Sequence, residues 1–439
     1  MDNKILIHSI KQTNRLRYIF DLMFKGIIGV DYEITDNKQT FIEYQGPKLN
    51  YSIKKVAQNE VHIINVSLLF RIGIQEQSFH VVDFRKTPTF FQTNEHSDLP
   101  FDPFAAAFYL VSRYEEYLPY QPDEFGRFPA SASMAFKYQF LDKPLVNIYA
   151  KWLKELITEK FPQINLIQKH YEYIPTYDID SAYAIKYKGL LRTLAGFTLS
   201  LIKRDFREFK RRYNVIFRSG KDPYDNFDYM IDLQKDYQLK PKYFFLVGDY
   251  DEYDKNISLQ VNEFRYLIKS INDYAEVGVH PSYASNADFD RLKMEVQRLS
   301  DVLNKEIKVS RQHFLKLHIP TTYQRLIELE VYEDHSMGYA SAIGFRAGIC
   351  SPFYFYDLEF ETKTKLKIYP FAIMDVTLNL YLNLLPEEAI EKSKEIIDTV
   401  KNLNGRFITL WHNQNLSNEK EWRGWVRVYE EILAYAASK

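Results

Sequence analysis

From residue 171 onward, short apolar runs alternate with longer stretches whose apolar positions recur every three to four residues. The runs at 171–177, 243–247, 275–279, 308–313, 367–374 and 406–411 are rich in β-branched and aromatic residues, the side chains that suit a pleated surface. The stretches between them, 227–237, 262–274, 288–304, 321–329 and 386–402, carry the spacing of amphipathic helices. Strands alternating with helices predict an α/β fold with a parallel sheet, open or closed into a barrel, and ligands at the carboxyl ends of the strands. The earlier part of the chain reads differently. Alternating segments at 31–34, 41–44 and 61–66 predict a small mixed sheet, followed by helices over 103–117 and 146–161 with a turn at 123–128 between them. A length of 439 residues exceeds one ordinary core. The expected division is a smaller α+β domain, 1–168, and an α/β domain, 169–439.

Polar residues gather at the predicted strand ends. Asp178 and Asp180 close the first strand and, two apart, emerge on one face. Two such carboxylates repel unless a cation or an arginine stands between them. That pairing suits a metal-dependent hydrolase, one acid on the metal and the other taking a proton from water. A helix start capped by Asp180 or Ser181 would use the same residues. His280, Arg311 with His313, Asp375 and His412 stand at further strand ends. In the first domain, Arg113, Glu115 and Asp123 are expected to form a surface ion-pair network.

Composition narrows the classes. A net charge of −1 argues against nucleic-acid binding by the chain as a whole. The 34 Tyr and 32 Phe include faces suited to sugar rings, though most must be core. The single cysteine, Cys350, excludes an internal disulfide and suits a reducing compartment. The first 24 residues lack the apolar core of a signal peptide, and no uncharged run is long enough for a transmembrane segment, so a cytoplasmic protein is expected. One segment stands out. Residues 186–212 carry nine Lys and Arg against two acids, interleaved with Leu190, Leu191, Leu194, Phe197, Leu199, Leu201, Ile202 and Phe206. Such a helix either lies on an anionic membrane surface, as a peripheral membrane contact, or packs on the barrel with a solvated basic face. The packed helix is the expectation.

Four short motifs now fall in order on alternating strands: Thr-Tyr-Asp-Ile-Asp at 176–180, Glu-Val-Gly-Val-His-Pro-Ser at 276–282, Ser-Arg-Gln-His-Phe at 310–314 and Leu-Trp-His at 410–412. Together they resemble the polysaccharide deacetylases of the NodB-homology, carbohydrate esterase 4-like family with an additional N-terminal domain, over residues 171–439. The resemblance implies a distorted (β/α)7-type barrel. It implies Asp178 as catalytic base, Arg311 as the partner holding it, His412 as general acid, and Asp180 and His280 as ligands of a divalent metal, Zn2+ foremost. The family pattern supplies a second histidine four residues after the first, and Ala284 stands there instead. A catalytic zinc wants three protein ligands and an open position. His313, two residues after Arg311 and so expected on the same face of its strand, is the candidate third ligand. A structural histidine at 313, or a lost metal site, are the alternatives. Asp375, in preference to Asp334, is expected to orient His412, and Tyr283, Tyr339, Trp411 and Trp422 are candidate sugar-stacking faces. The function so implied is hydrolysis of the acetamide of an N-acetylated amino sugar or glycan intermediate. The alternatives are a non-catalytic glycan-binding or assembly protein with a degenerate metal site, and an amidohydrolase acting on a non-sugar amide.

Overall fold

The computed structural model describes residues 4–438. Its first sheet has four strands in the order β2-β1-β3-β4, with β1 Lys4–His8, β2 Asp31–Thr35, β3 Lys48–Tyr51 and β4 Val61–Ile63, all parallel. Between β1 and β2 runs a helix starting at Asn14, its first turn satisfied by the Thr13 hydroxyl, which accepts from the Leu16 N–H. The helical run ends at Gly29, where φ is 83° and a Cβ would stand 2.2 Å from the Ile167 carbonyl oxygen. Only glycine serves there. Of residues 41–44, expected as a strand, 41–43 belong to a helix, Lys38–Glu43, and Tyr44 follows its end. The Asn37 carbonyl-type side-chain oxygen accepts from Thr40 N–H, and this cap settles a pattern that both periods fit. A small antiparallel hairpin, β5 Val82–Phe84 and β6 Thr87–Thr89, precedes the fully buried helix Pro103–Val111, capped by Asp102. That helix stops short of its predicted end because Arg113 takes a left-handed backbone, φ 53°.

The second sheet has nine strands: β7 Glu172–Ile179, β8 Lys242–Phe245, β9 Glu276–Val279, β10 Val309–Ser310, β11 Glu333–Asp334, β12 Phe353–Asp357, β13 Thr362–Ile368, β14 Ile373–Met374 and β15 Arg406–His412. They lie in the order β12-β13-β11-β10-β9-β8-β7-β15-β14, and every neighbouring pair is parallel except β12 on β13. The parallel sheet is what the alternation required. The ladder, however, runs to nine strands with two unjoined ends, β12 and β14, where a sevenfold barrel was expected. The predicted strand 367–374 is in fact two. β13 ends at Ile368, and Pro370, with no N–H to donate, lies in the break before β14, which pairs with β15 at the opposite end of the sheet.

The two sheets do not close separate cores. Tyr18 and Phe108 of the amino-terminal region meet Tyr356 at ring-centroid distances of 4.9 and 5.2 Å, inside one continuous buried apolar cluster. A buried ion cluster ties the same regions together. Glu116 accepts from Arg346 at 2.6 and 2.9 Å and from Arg113 at 2.7 Å, and Arg113 also reaches Glu115 at 2.9 Å. The expected surface network around Arg113 is therefore buried: Arg113 is 1% exposed. Only Asp123 of that set stays near the surface, paired with Arg127 at 2.7 Å.

Residues 186–212 also depart from expectation. They enter a hairpin of two helices, Leu190–Ile202 and Phe206–Phe217, and most of its leucines face outward instead of packing on the sheet. Among the described residues no helix is long and apolar enough to cross a membrane.

Candidate metal and hydrolytic centre

Seven side chains converge beyond the carboxyl ends of β7, β9, β10, β14 and β15. Asp178 is the next-to-last residue of β7, and Asp180 follows the strand. The alternation of β7 puts both carboxylates on the side away from Tyr177 and Ile179, which are buried in the apolar core. β9 brings His280 beside them. Gly278 lets this strand lie close to β10, since a Cβ there would stand 2.7 Å from the Val309 carbonyl oxygen. β15 carries His412 in register with Asp178.

Arg311 reaches Asp178, its Nη1 donating to Oδ1 at 2.9 Å while Nε donates to the His335 carbonyl at 2.9 Å. The guanidinium is wholly buried, with its carbon 4.5 Å from the Phe244 ring centroid. Burial lowers its pKa, and the Asp178 charge opposes that shift.

His313 arrives by another route than strand alternation. β10 ends at Ser310, and His313 opens a tight turn, His313–Leu315, in which Phe314 and Leu315 have φ of 58° and 52°. The turn is pinned by the His313 N–H, which donates to the Pro281 carbonyl at 3.1 Å. It carries the imidazole into the cluster with Asp180 and His280.

Hydrogen bonds on the far side of each ring decide what that ring presents to the centre. His280 Nδ1 faces the Arg311 carbonyl at 2.5 Å, and a carbonyl can only accept, so Nδ1 carries the proton. His313 Nδ1 faces Asp254 Oδ1 at 2.8 Å in the same sense. Each ring then turns Nε2 toward Asp180 Oδ1, at 3.2 Å from His280 and 3.7 Å from His313. Asp180 Oδ1 is buried and has no hydrogen-bond partner. One ligand atom from each of Asp180, His280 and His313 lies within 4.8 Å of the others. A buried carboxylate oxygen facing two imidazole lone pairs is a repulsive arrangement unless protons or a cation stand among them. Two imidazoles and one carboxylate are the donor set of many catalytic zinc sites, so the residues present fit a divalent cation.

The local electrostatics agree. Burial alone would lower the His313 pKa, but the charges of Asp180 and Asp254 outweigh it and raise it to about 9. His412 behaves alike: burial opposes, Asp375 and Asp180 prevail, and the value rises to about 10. Burial would raise Asp180, yet His313 and His412 hold it well below the usual carboxylate range.

His412 Nε2 lies 3.6 Å from Asp180 Oδ2, and its Nδ1 donates to Asp375 Oδ1 at 2.8 Å. Asp375 is fully buried, and its Oδ2 accepts from the His412 N–H at 2.8 Å and from Asn415 at 2.9 Å. Asp334 instead accepts from Ser310 and Ser336 and makes no contact with His412.

A cavity of about 160 Å3 opens over this cluster. Besides the residues above it is lined by Leu315, Ala340, Met374 and Leu410, and by two groups the sequence did not single out, Arg127 and Tyr381. Arg127 comes from the amino-terminal region, donates to the Phe314 carbonyl at 2.8 Å and approaches the Tyr381 hydroxyl at 3.4 Å. Phe314 of its wall belongs to an aromatic group with Phe125, Tyr253 and Tyr283, with ring centroids 4.6 to 5.4 Å apart for Tyr253–Tyr283, Phe125–Phe314, Tyr253–Phe314 and Tyr283–Phe314. Of the four aromatics expected as sugar faces, only Tyr283 is there. Trp411 is wholly buried, Trp422 packs on Trp425, and the buried Tyr339 hydroxyl accepts from Arg113. Asp254 was missed altogether. It lies in the loop after β8, the one predicted strand whose end had been given no polar residue, and it accepts from the Tyr283 N–H as well as from His313. A larger cleft, about 640 Å3, lies toward the amino ends of the strands and brings no comparable donor set together.

Comparison with known proteins gives little beyond this geometry. Residues 5–162 match the model of a family of unknown function, DUF7033. No curated protein matches the chain. Among solved structures, similarity is found to a Mycobacterium smegmatis protein assigned as a polysaccharide deacetylase, at 13% identity and a TM-score of 0.39, covering 62% of this chain and 85% of that one. A polysaccharide deacetylase from Bacillus cereus aligns at 13% identity and a TM-score of 0.29, covering 61% and 86%. A carbohydrate esterase 4 pseudoenzyme from Bacillus anthracis aligns at 11% identity and a TM-score of 0.28, covering 60% of each. Scores this low carry no functional weight, and the chemistry rests on the side chains.

Proposed function

We propose that this protein is a metal-dependent N-deacetylase that hydrolyses the acetamide of an N-acetylated amino sugar or glycan intermediate. The observation that carries the reading is Asp180 Oδ1, buried without a hydrogen-bond partner opposite the Nε2 atoms of His280 and His313. Asp180, His280 and His313 would hold a divalent cation, Zn2+ by its taste for imidazole and carboxylate, and the cation when bound would supply Lewis acidity toward the amide carbonyl. Asp178 takes the proton of the attacking water, and Arg311 fixes its carboxylate. His412, protonated on Nε2, gives that proton to the departing amine nitrogen, and Asp375 holds the ring in the orientation this requires. The aromatic group offers a stacking face for a sugar ring, with Arg127 and Tyr381 as polar groups at the wall.

The proposal also keeps the division at 168/169, supported by the family match over 5–162 and by the two sheets falling on either side. On this view the amino-terminal domain contributes Arg127 and Phe125 to the site. The test is metal content by elemental analysis together with release of acetate from N-acetylated oligosaccharides, for the wild-type chain and Asp178→Asn. Bound metal and acetate release that the variant loses are the expected results. An absence of both would leave a glycan-binding protein, and Ala284, where the resembling family has its second histidine, is the feature that favours that outcome.

A further inference from the structure

We propose that the helical hairpin Leu190–Ile202 and Phe206–Phe217 docks the protein on the surface of an anionic lipid bilayer, through apolar side chains that point away from the fold. The inference is independent of the deacetylase reading. Amphipathic helices of soluble proteins turn their apolar face inward, and this hairpin does the opposite. Leu190, Leu191, Leu194, Leu201 and Ile202 are 75, 83, 53, 50 and 73% exposed. At 3.6 residues per turn they share an arc of about 120°. Phe206, 69% exposed, continues the patch at the start of the second helix.

Three arginines are partly covered. The Arg192 guanidinium lies over Tyr250 at 4.5 Å, Arg212 pairs with Glu208 at 2.7 Å, and Arg211 bonds Glu208 and Glu419, the latter in the loop beyond β15. Of the apolar residues, Phe197 packs on Phe209 and Phe217 of the second helix, and Val215 is buried. Arg192, Arg211 and the buried Val215 thus tie the hairpin to the body, and it presents leucine to solvent. Contiguous apolar surface of this kind marks an interaction site.

Charge decides the occupant. Residues 186–212 hold nine Lys and Arg against two acids, and the exposed Lys203, Arg204, Arg207 and Lys210 are in no ion pair among the described residues. A second copy would set like charges against each other. An acyl boundary beneath anionic headgroups satisfies both features, leucines below and cations at the phosphates.

The test is flotation of the full chain with phosphatidylcholine vesicles, with and without phosphatidylglycerol. The protein is expected to float with the phosphatidylglycerol vesicles and to be left behind by pure phosphatidylcholine. Raising the salt to about 1 M, where the screening length falls to about 3 Å, should release it. The variant Leu190→Ser/Leu191→Ser/Ile202→Ser should bind roughly 100-fold more weakly, and Lys203→Glu/Arg204→Glu/Arg207→Glu roughly 100-fold more weakly as well. Both sets of positions are exposed, and unchanged circular dichroism verifies that the variants are folded. Absence of flotation with anionic vesicles, or flotation that neither variant weakens, overturns the proposal. So does a dimer in solution that the serine variant dissolves while vesicles go unbound.

Discussion

Replacing Arg311 by methionine keeps most of the apolar stem and removes one charge from a buried pair. Arg311 is wholly buried and Asp178 is 2% exposed, with 2.9 Å between Nη1 and Oδ1. At an effective dielectric of roughly 20, two unit charges at that separation attract by about 6 kcal/mol. Desolvation of both groups has already consumed much of this, so the pair adds little net stability. Removing one partner is another matter. Arg311→Met strands a buried carboxylate and also leaves the His335 carbonyl without its donor, and the expected loss is about 3–5 kcal/mol. Asp178→Asn strands the guanidinium in turn. The double variant buries no charge at all and should lose less than the sum of the singles, by about 1–3 kcal/mol. The assay is urea unfolding of the four proteins with chelator present, so that metal occupancy does not enter the comparison. Additive losses, or an Arg311→Met protein within about 0.5 kcal/mol of the wild type, would refute the reasoning, because either result means that the two charges are not coupled.

The other predictions follow the same contacts outward. Asp375→Asn removes the charge and one of the two acceptor oxygens that hold His412, so kcat should fall by at least roughly 100-fold with KM little changed, measured as acetate release under steady-state conditions. Asp254→Ala frees the His313 ring from its far side, and metal affinity should weaken by about 10–100-fold in a competition titration against a chromophoric chelator. Tyr283→Ala should raise KM for an oligosaccharide and leave kcat nearly unaltered, since its ring backs Phe314 of the cavity wall and touches no reacting atom. Glu116→Ala uncovers Arg113 and Arg346 together at the junction of the two sheets, and should cost at least about 3 kcal/mol in denaturant unfolding.

Strand ends were the legible part of this sequence. A run of β-branched and aromatic residues that stops at Asp, His or Arg reports both a strand and the direction its polar end faces, and β7, β9 and β15 deliver Asp178, His280 and His412 to one place. His313 reached the same place for a reason the pattern did not contain. Its position depends on a turn with positive φ at Phe314 and Leu315, residue types that give no warning of that backbone. Asp254 was hidden in the acidic loop 249–254, where any of several carboxylates could have served, and only the fold selects the one below His313. Arg127 was out of reach altogether, because its role requires the amino-terminal region to lie against the edge of the cavity. The hairpin shows a different limit. Periodicity gave the two faces of 190–202 correctly but carries no information about which face turns toward the fold. Similarly, 367–374 read as one apolar run, and the chain breaks it at Pro370 to place its halves at different positions in the sheet.

The claim on which the account turns is that Asp180, His280 and His313 share one cation, and equilibrium binding of Zn2+ to the metal-stripped chain tests it most directly. The account predicts one tight site per chain, weakened by at least roughly 100-fold in His313→Ala while the circular dichroism stays that of the wild type. Stoichiometric binding that His313→Ala leaves unchanged, or no binding by the wild-type chain, would contradict it.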